Sequence, residues 1–241
     1  MANVNPRSPA ATKAPRKITV GRLLLQLFLL LALLLGLLLL AAGRPYWIQA
    51  WAFSLAFFGF LLFYGLWTLR HDPGQLEERS KMGRNVRSWD KIILSLYSVL
   101  LFLLLILSGL DGGRFHWAPA PLPLQALGWA AVILAGGLVF WVTSVNTFLS
   151  RYARLQDERG QQTVTRGPYR LVRHPMYLGV IVLMMGIPLV LGSYWALVPG
   201  GLIGVLFVIR TALEDKFLQS DLAGYKEYSK RVRFRLIPGI W

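Results

Sequence analysis

Residues 176–209 read MYLGVIVLMMGIPLVLGSYWALVPGGLIGVLFVI, 34 positions without a charged side chain. At 1.5 Å per residue, one helix of that length would extend about 51 Å, well beyond the roughly 30 Å of a bilayer's hydrocarbon core. Pro188, Gly192 and Ser193 sit near the middle, where a turn is needed. The run is therefore predicted to fold as two short helices, roughly 176–191 and 194–213, joined in a tight hairpin. Each half holds about 17 apolar residues, the lower limit for a full crossing. The hairpin is expected to span the membrane only just, or to stop short of the far surface.

Four more apolar runs precede it, at 23–43, 46–69, 92–110 and 122–150, each long enough to cross as a helix. Gly136 and Gly137, inside the fourth, are candidates for close helix packing. The first run, with its basic flank and Ala41-Ala42-Gly43, imitates a cleavable secretion signal, but its length favours a retained span. The expected fold is an all-α integral membrane protein of about six transmembrane helices, the last two forming the hairpin. Residues 1–19, with Pro6, Pro9, Pro15, Lys13, Arg16 and Lys17, are expected to be a disordered basic arm. Residues 20–145 form the N-terminal spans, and 146–241 a region where apolar helices alternate with Arg, Tyr, His and Glu.

Composition agrees. Apolar residues make up 55% of the chain and charged ones 15%, against about 25% in a soluble domain. With no cysteine, disulfides, thiolate metal sites and cysteine nucleophiles are excluded. The only histidines are His71, His116 and His174, too scattered to suggest a metal site. A net charge of +15 raises the question of nucleic acid. The distribution answers it. Of 26 Lys and Arg, 24 fall before residue 23, in 70–91, in 150–174 or from 210 onward, leaving Arg44 and Arg114 in the alternate loops. That asymmetry is the positive-inside pattern. It implies cytoplasmic N- and C-termini, an even number of crossings and no nucleic-acid partner. Because the polar sequence lies on the cytoplasmic face, a site for a soluble cofactor is expected there. Segment 70–91, with Glu77, Glu78 and six basic residues, reads as a solvated connector.

The densest polar cluster runs from Gln156 to Tyr177. Gly167-Pro168 marks a turn, and Pro175 suits the first turn of a helix, where its missing N–H costs nothing. Arg173 and His174 then stand at a helix N-terminus, where free N–H groups favour an anionic ligand group. Arg210 and Glu214, four apart, share one helix face. Their plain reading is an interfacial ion pair worth about 0.3–0.5 kcal/mol. In the tail, Tyr225, Tyr228, Lys230, Arg231, Arg233 and Arg235 suit anchoring at lipid headgroups.

Three blocks in order carry a resemblance: Gly167-Pro168-Tyr169 with Arg173-His174-Pro175-Met176-Tyr177-Leu178-Gly179; then Arg210, Glu214, Asp215 and Leu218; then Tyr225, Tyr228 and Pro238. Over roughly 146–241 the chain resembles the isoprenylcysteine carboxyl methyltransferase family, grouped with the phospholipid methyltransferases among integral-membrane enzymes that use S-adenosylmethionine. The resemblance implies a cofactor pocket lined by Tyr169, His174, Pro175, Met176 and Tyr177, with contacts from Gln161, Gln162, Thr163 and Val164. Gln156 and Glu214 are the further cofactor candidates it implies. Arg210 would face the methyl acceptor, so Arg210 and Glu214 are the catalytic candidates. No metal is implied.

Methyl transfer from a sulfonium is an in-line displacement, in which catalysis is chiefly positioning. A site between membrane and cytoplasm suits one water-soluble cofactor and one lipophilic or lipidated acceptor. The compact, Leu-rich form suggests a bacterial-type inner-membrane member. Two other readings stay open: an NADPH-dependent sterol-type membrane reductase, and a non-enzymatic membrane protein. A carrier would place ionisable residues within its spans, and the apolar runs contain none.

Overall fold

The computed structural model describes residues 19–80 and 86–241; apart from Thr19, the expected basic arm lies outside them. The described chain is helical. Six helices form the bundle: α1 (Val20–Ala42), α2 (Ile48–His71), α4 (Ser88–Ser108), α5 (Leu122–Val145), α6 (Pro175–Val190) and α7 (Leu197–Asp221). Two short helices accompany them, α3 (Pro73–Ser80) and α8 (Tyr225–Arg231). Five of the six are long and apolar enough to cross a membrane. The sixth, α6, has 16 residues and is about 24 Å long, so the first arm of the hairpin is the short one. The protein is a multi-pass membrane protein. In hydrocarbon every backbone N–H must bond within the segment, and a helix achieves this without a neighbour.

Chain signals set the helix ends. Thr19 caps α1, its hydroxyl accepting from the Arg22 N–H at 3.3 Å, and Gly43 ends that helix in the left-handed conformation. Pro175 occupies the first turn of α6. Pro188 sits in the last turn of α6, and 191–196 makes the hairpin turn, with Gly192 at φ 76°. The fourth apolar run stops being helical at Val145 rather than at 150. Asn146 ends α5, and its side-chain oxygen accepts from the Phe148 N–H at 3.0 Å.

The six helices alternate in direction. The end of α1 meets the end of α4, and the start of α5 meets the end of α6. Close approach occurs where a side chain is missing. A Cβ on Gly128 would come within 2.7 Å of the Val190 nitrogen, and one on Gly186 within 3.1 Å of the Gly128 oxygen. Gly136 and Gly137 do not serve this purpose: the first faces the Phe60 ring at ordinary contact distance and the second open space.

α4 continues as a π-helix, Gly109–Phe115, which brings Asp111 and Arg114 into the third span. The apolar runs hid this, because the span outlasts its apolar stretch. Asp111 is fully buried and accepts from the Ser193 hydroxyl (2.6 Å), the Ala118 N–H (2.8 Å) and the Trp195 N–H (3.3 Å). It thereby staples the hairpin turn to α4 at the bundle's far end. A Cβ on Gly112 would overlap the carbonyl oxygen of Leu191 in that turn. Gly112→Ala is therefore expected to destabilise the protein by about 1–3 kcal/mol. Gly137→Ala, with open space around it, is expected to be neutral or stabilising. Thermal unfolding of the two purified variants checks the contrast.

Candidate active site

At the opposite end, the segment after α5, the start of α6, the end of α7 and α8 enclose a cleft with about 840 Å³ of empty space, mouth included. Nine of the residues singled out from sequence line it: Gln161, Gln162, Thr163, Val164, Tyr169, His174, Met176, Tyr177 and Glu214. Three do not. Gln156 is buried beneath the wall, donating to the Phe148 carbonyl and accepting from Arg159 at 2.7 Å. Pro175 starts α6. Arg210 lies behind Tyr177.

The floor is organised around Asp215, which has no exposed surface. It accepts two hydrogen bonds from Arg173, at 2.7 and 2.9 Å, and further bonds from Arg235 (3.0 Å), Tyr225 (3.0 Å) and Gln219 (2.8 Å). The His174 Nε2 lies 3.3 Å from the same carboxylate and 3.2 Å from the Tyr225 hydroxyl. Arg173 also donates to the Val232 and Arg233 carbonyls at 2.8 and 2.9 Å, so the tail is bolted to the start of α6. The tail residues expected to anchor lipid are thus divided: Tyr225, Tyr228 and Arg235 face the site, while Lys230, Arg231 and Arg233 remain exposed.

Tyr169 accepts from the Asn146 amide at 2.6 Å, and its carbonyl accepts from the Tyr228 hydroxyl at 2.7 Å. Burial pushes the Tyr169 phenol well above its ordinary range, so it stays protonated, a neutral hydrogen-bonding group. The Tyr177 hydroxyl donates to Glu214, and the Tyr177 ring stacks on His174 with centroids 5.7 Å apart. One cleft wall thus presents a carboxylate, a phenol and an imidazole, with the amides of Gln161 and Gln162 on the loop nearby.

Residues 124–223 match the family model described as phospholipid methyltransferase. This stretch, about two-fifths of the chain, is similar to that methyltransferase family. The family is one of integral-membrane methyltransferases and includes the isoprenylcysteine carboxyl methyltransferases. No curated protein matches the chain. The matched methyltransferase domain runs from the start of α5 to the link before α8. The site does not stop at those limits.

Arg210 and Glu214 share a face of α7 but do not pair. Glu214 is engaged by Tyr177, whereas the Arg210 Nε donates to Asp90 on α4 at 2.8 Å and its Nη2 to the Arg151 carbonyl at 2.8 Å. The guanidinium stands 5.1 Å from the Tyr177 ring centroid and 5.7 Å from that of Phe207. The described part of the 70–91 segment is likewise no solvated connector. Its α3 docks on the matched region with Gln75 and Glu78 buried. Gln75 donates to the Asn146 carbonyl at 2.7 Å, Arg79 to the Tyr64 hydroxyl, and Glu78 pairs with Arg154 on the cleft wall. Sequence reasoning missed Asp90, Glu78, Asn146 and Arg235. The one available signal was acidic residues set among basic ones in 70–91, and a charge run is usually solvated.

A second space, about 780 Å³ and almost wholly apolar, opens between α1, α2, α4 and α6. Leu30, Leu37, Phe57, Leu101 and Met184 line it, with Tyr97 as its polar member. Tyr97 meets Phe207 edge-on at 5.5 Å, and Phe207 meets Tyr177 edge-on at 5.4 Å. The groove is therefore linked to the cleft through an aromatic relay, with Arg210 beside it.

Proposed function

We propose that the cleft binds S-adenosylmethionine and that the protein transfers its methyl group to a lipophilic acceptor at the cytoplasmic edge of a bacterial-type inner membrane, with residues 146–241 as the catalytic region. The observation that carries this reading is the juxtaposition of a polar cleft and an apolar groove, with Tyr177 and Arg210 between them. The family match supports methyl transfer to membrane-associated acceptors. This orientation is supported by the alternating helices, which put the start of α1 and the C-terminal tail on the cleft side, and by the Lys and Arg of the sequence segments at that end.

The donor set fits the cofactor. Glu214 and the amides of Gln161 and Gln162 offer acceptors for amino and ribose hydroxyl groups. Tyr169, Tyr177 and Phe148 offer ring faces, which suit an adenine and a sulfonium cation. In the first turn of α6 the Met176 N–H is left for a carboxylate, since Pro175 has none and the Tyr177 and Leu178 N–H groups donate to the His174 carbonyl. When bound, the cofactor supplies a methyl group on a positively charged sulfur. The chain's own task is to hold the acceptor in line with it and to keep water out. Arg210 is placed to orient a polar head whose hydrocarbon tail lies in the groove.

Calorimetric titration of S-adenosylmethionine and, separately, NADPH into the detergent-purified protein tests the reading. Saturable S-adenosylmethionine binding, weakened in Glu214→Ala and His174→Ala, is the expected result. Binding of NADPH alone would favour a reductase instead. The groove has its own check. Met184→Trp should fill it and slow methyl transfer to long-chain lipid by roughly tenfold or more, the scale of a few lost methylene contacts. S-adenosylmethionine affinity should stay unchanged. Equal transfer by parent and variant would remove the groove from the acceptor's path.

A further inference from the structure

We propose that Asp90, on the first turn of α4 and outside the matched methyltransferase domain, is a positioning residue that sets Arg210 for the acceptor and ties it to the cleft wall. The inference rests on the reading of Arg210 as acceptor-facing. Asp90 is completely buried, and each of its oxygens has one task. Oδ1 accepts from the Arg210 Nε at 2.8 Å, and Oδ2 accepts from the Ala153 N–H at 2.8 Å. Arg210 closes the ring by donating from Nη2 to the Arg151 carbonyl, two residues before Ala153. Three elements distant in sequence (α4, the 151–153 backbone and α7) are thereby locked through a single carboxylate.

The consequence lies in which guanidinium atoms are used. Nε and Nη2 are committed, whereas Nη1 has no hydrogen-bond partner among the described residues. Arg210 is 5% exposed, so a guanidinium with spare donors is held in a site nearly shut to bulk water. A planar guanidinium gripped on one edge presents its remaining donors in a fixed direction. Here that direction is bounded by the rings of Tyr177 and Phe207. Without Asp90 the closest alternative carboxylate along α7 is Glu214, one turn on, which Tyr177 already engages. Loss of Asp90 would leave Arg210 without a fixed direction toward the acceptor, while Glu214 keeps its Tyr177 contact in the cleft. The carboxylate is also well placed where it stands, since the N-terminal turn of a helix favours negative charge.

The test uses phenylglyoxal labelling of arginines in the full-length protein in lipid nanodiscs, read residue by residue by mass spectrometry. It requires neither cofactor nor acceptor. In the parent, Arg210 should be protected relative to exposed Arg231. Asp90→Asn keeps the shape and an acceptor for the Ala153 N–H but removes the charge, so it should raise Arg210 labelling about tenfold or more, the scale of a broken buried ion pair. Arg173, tied to Asp215, should stay protected. A general loosening would expose both arginines and would overturn the positioning role, as would no change at Arg210 in either Asp90→Asn or Asp90→Ala. In parallel, Asp90→Asn should bind S-adenosylmethionine within about twofold of the parent, as expected of a separate site. It should also cut tritium transfer from labelled S-adenosylmethionine into total membrane-lipid extract roughly 100-fold, the cost of a misplaced reacting group. Failure of the parent to bind S-adenosylmethionine would count against the proposed function, and the labelling contrast alone would then decide the role of Asp90.

Discussion

Asp215→Ala should lower the thermal unfolding midpoint by roughly 10 °C or more and abolish S-adenosylmethionine binding. The reason is what the substitution strands. Arg173 is 6% exposed and donates from all three guanidinium nitrogens, two of them to Asp215. Removing the carboxylate leaves a buried cation without its counter-charge, a defect that costs about 3–5 kcal/mol. For a chain of this length each kcal/mol moves the midpoint by about 2–4 °C. The loss is not confined to one pair. Tyr225 and Arg235 would lose their anchor, and the tail that closes the cleft floor would come away from α6. Asp215→Asn keeps the shape and an oxygen acceptor but not the charge, so its midpoint should fall between parent and Ala. A calorimetric scan of the three proteins checks the order. If Asp215→Ala unfolded at the parent temperature, the carboxylate would not be neutralising Arg173, and the floor would be held by packing alone.

Glu214→Ala should weaken S-adenosylmethionine binding by roughly 10- to 100-fold while leaving the unfolding midpoint close to that of the parent. A hydrogen bond to a charged acceptor contributes about 1.5–3 kcal/mol, which corresponds to that range. Glu214 is half-buried and its one hydrogen-bond partner among the described residues is the Tyr177 hydroxyl, so the fold loses little. Tyr177→Phe separates the contributions. It removes the hydroxyl but keeps the ring that stacks on His174 and faces Arg210. If Glu214 holds the cofactor directly, Tyr177→Phe should retain most of the affinity that Glu214→Ala loses. If the two variants lose affinity equally, Glu214 acts by fixing Tyr177. Parent-like affinity in Glu214→Ala would place the cofactor elsewhere in the cleft.

Much of this site was legible before the structure. The family resemblance, carried by the blocks around Gly167-Pro168, Pro175 and Glu214, implied a pocket, and nine of the residues it named line one cleft. The signal was good because those segments are short, their bends come from Pro and Gly, and the order of the blocks leaves few ways to assemble them. Gln156 shows where such reasoning stops. The resemblance implied a cofactor contact for it, yet its side chain turns under the wall to satisfy the Phe148 carbonyl. Arg210 and Glu214 show the same limit. Spacing of four suggested a pair, but a buried guanidinium is attracted to whichever carboxylate the packing brings nearest, and that was Asp90 from another helix.

The sequence by itself determined the membrane class, six alternating helices and the end of the bundle that carries polar chemistry. These depend on properties read along one dimension: the length of an apolar run against bilayer thickness, the breaks at Pro188 and Gly192, and the count of Lys and Arg on each side. Tertiary structure decided the pairing of charges. Asp215 gathers Arg173 and Arg235, Asp90 holds Arg210, Glu78 meets Arg154, and Asp111 staples the far turn, each across 20 to 120 positions or more of chain. A buried charge is tolerated only beside a partner. Which partner reaches it depends on how the helices rotate and pack, and no local pattern records that.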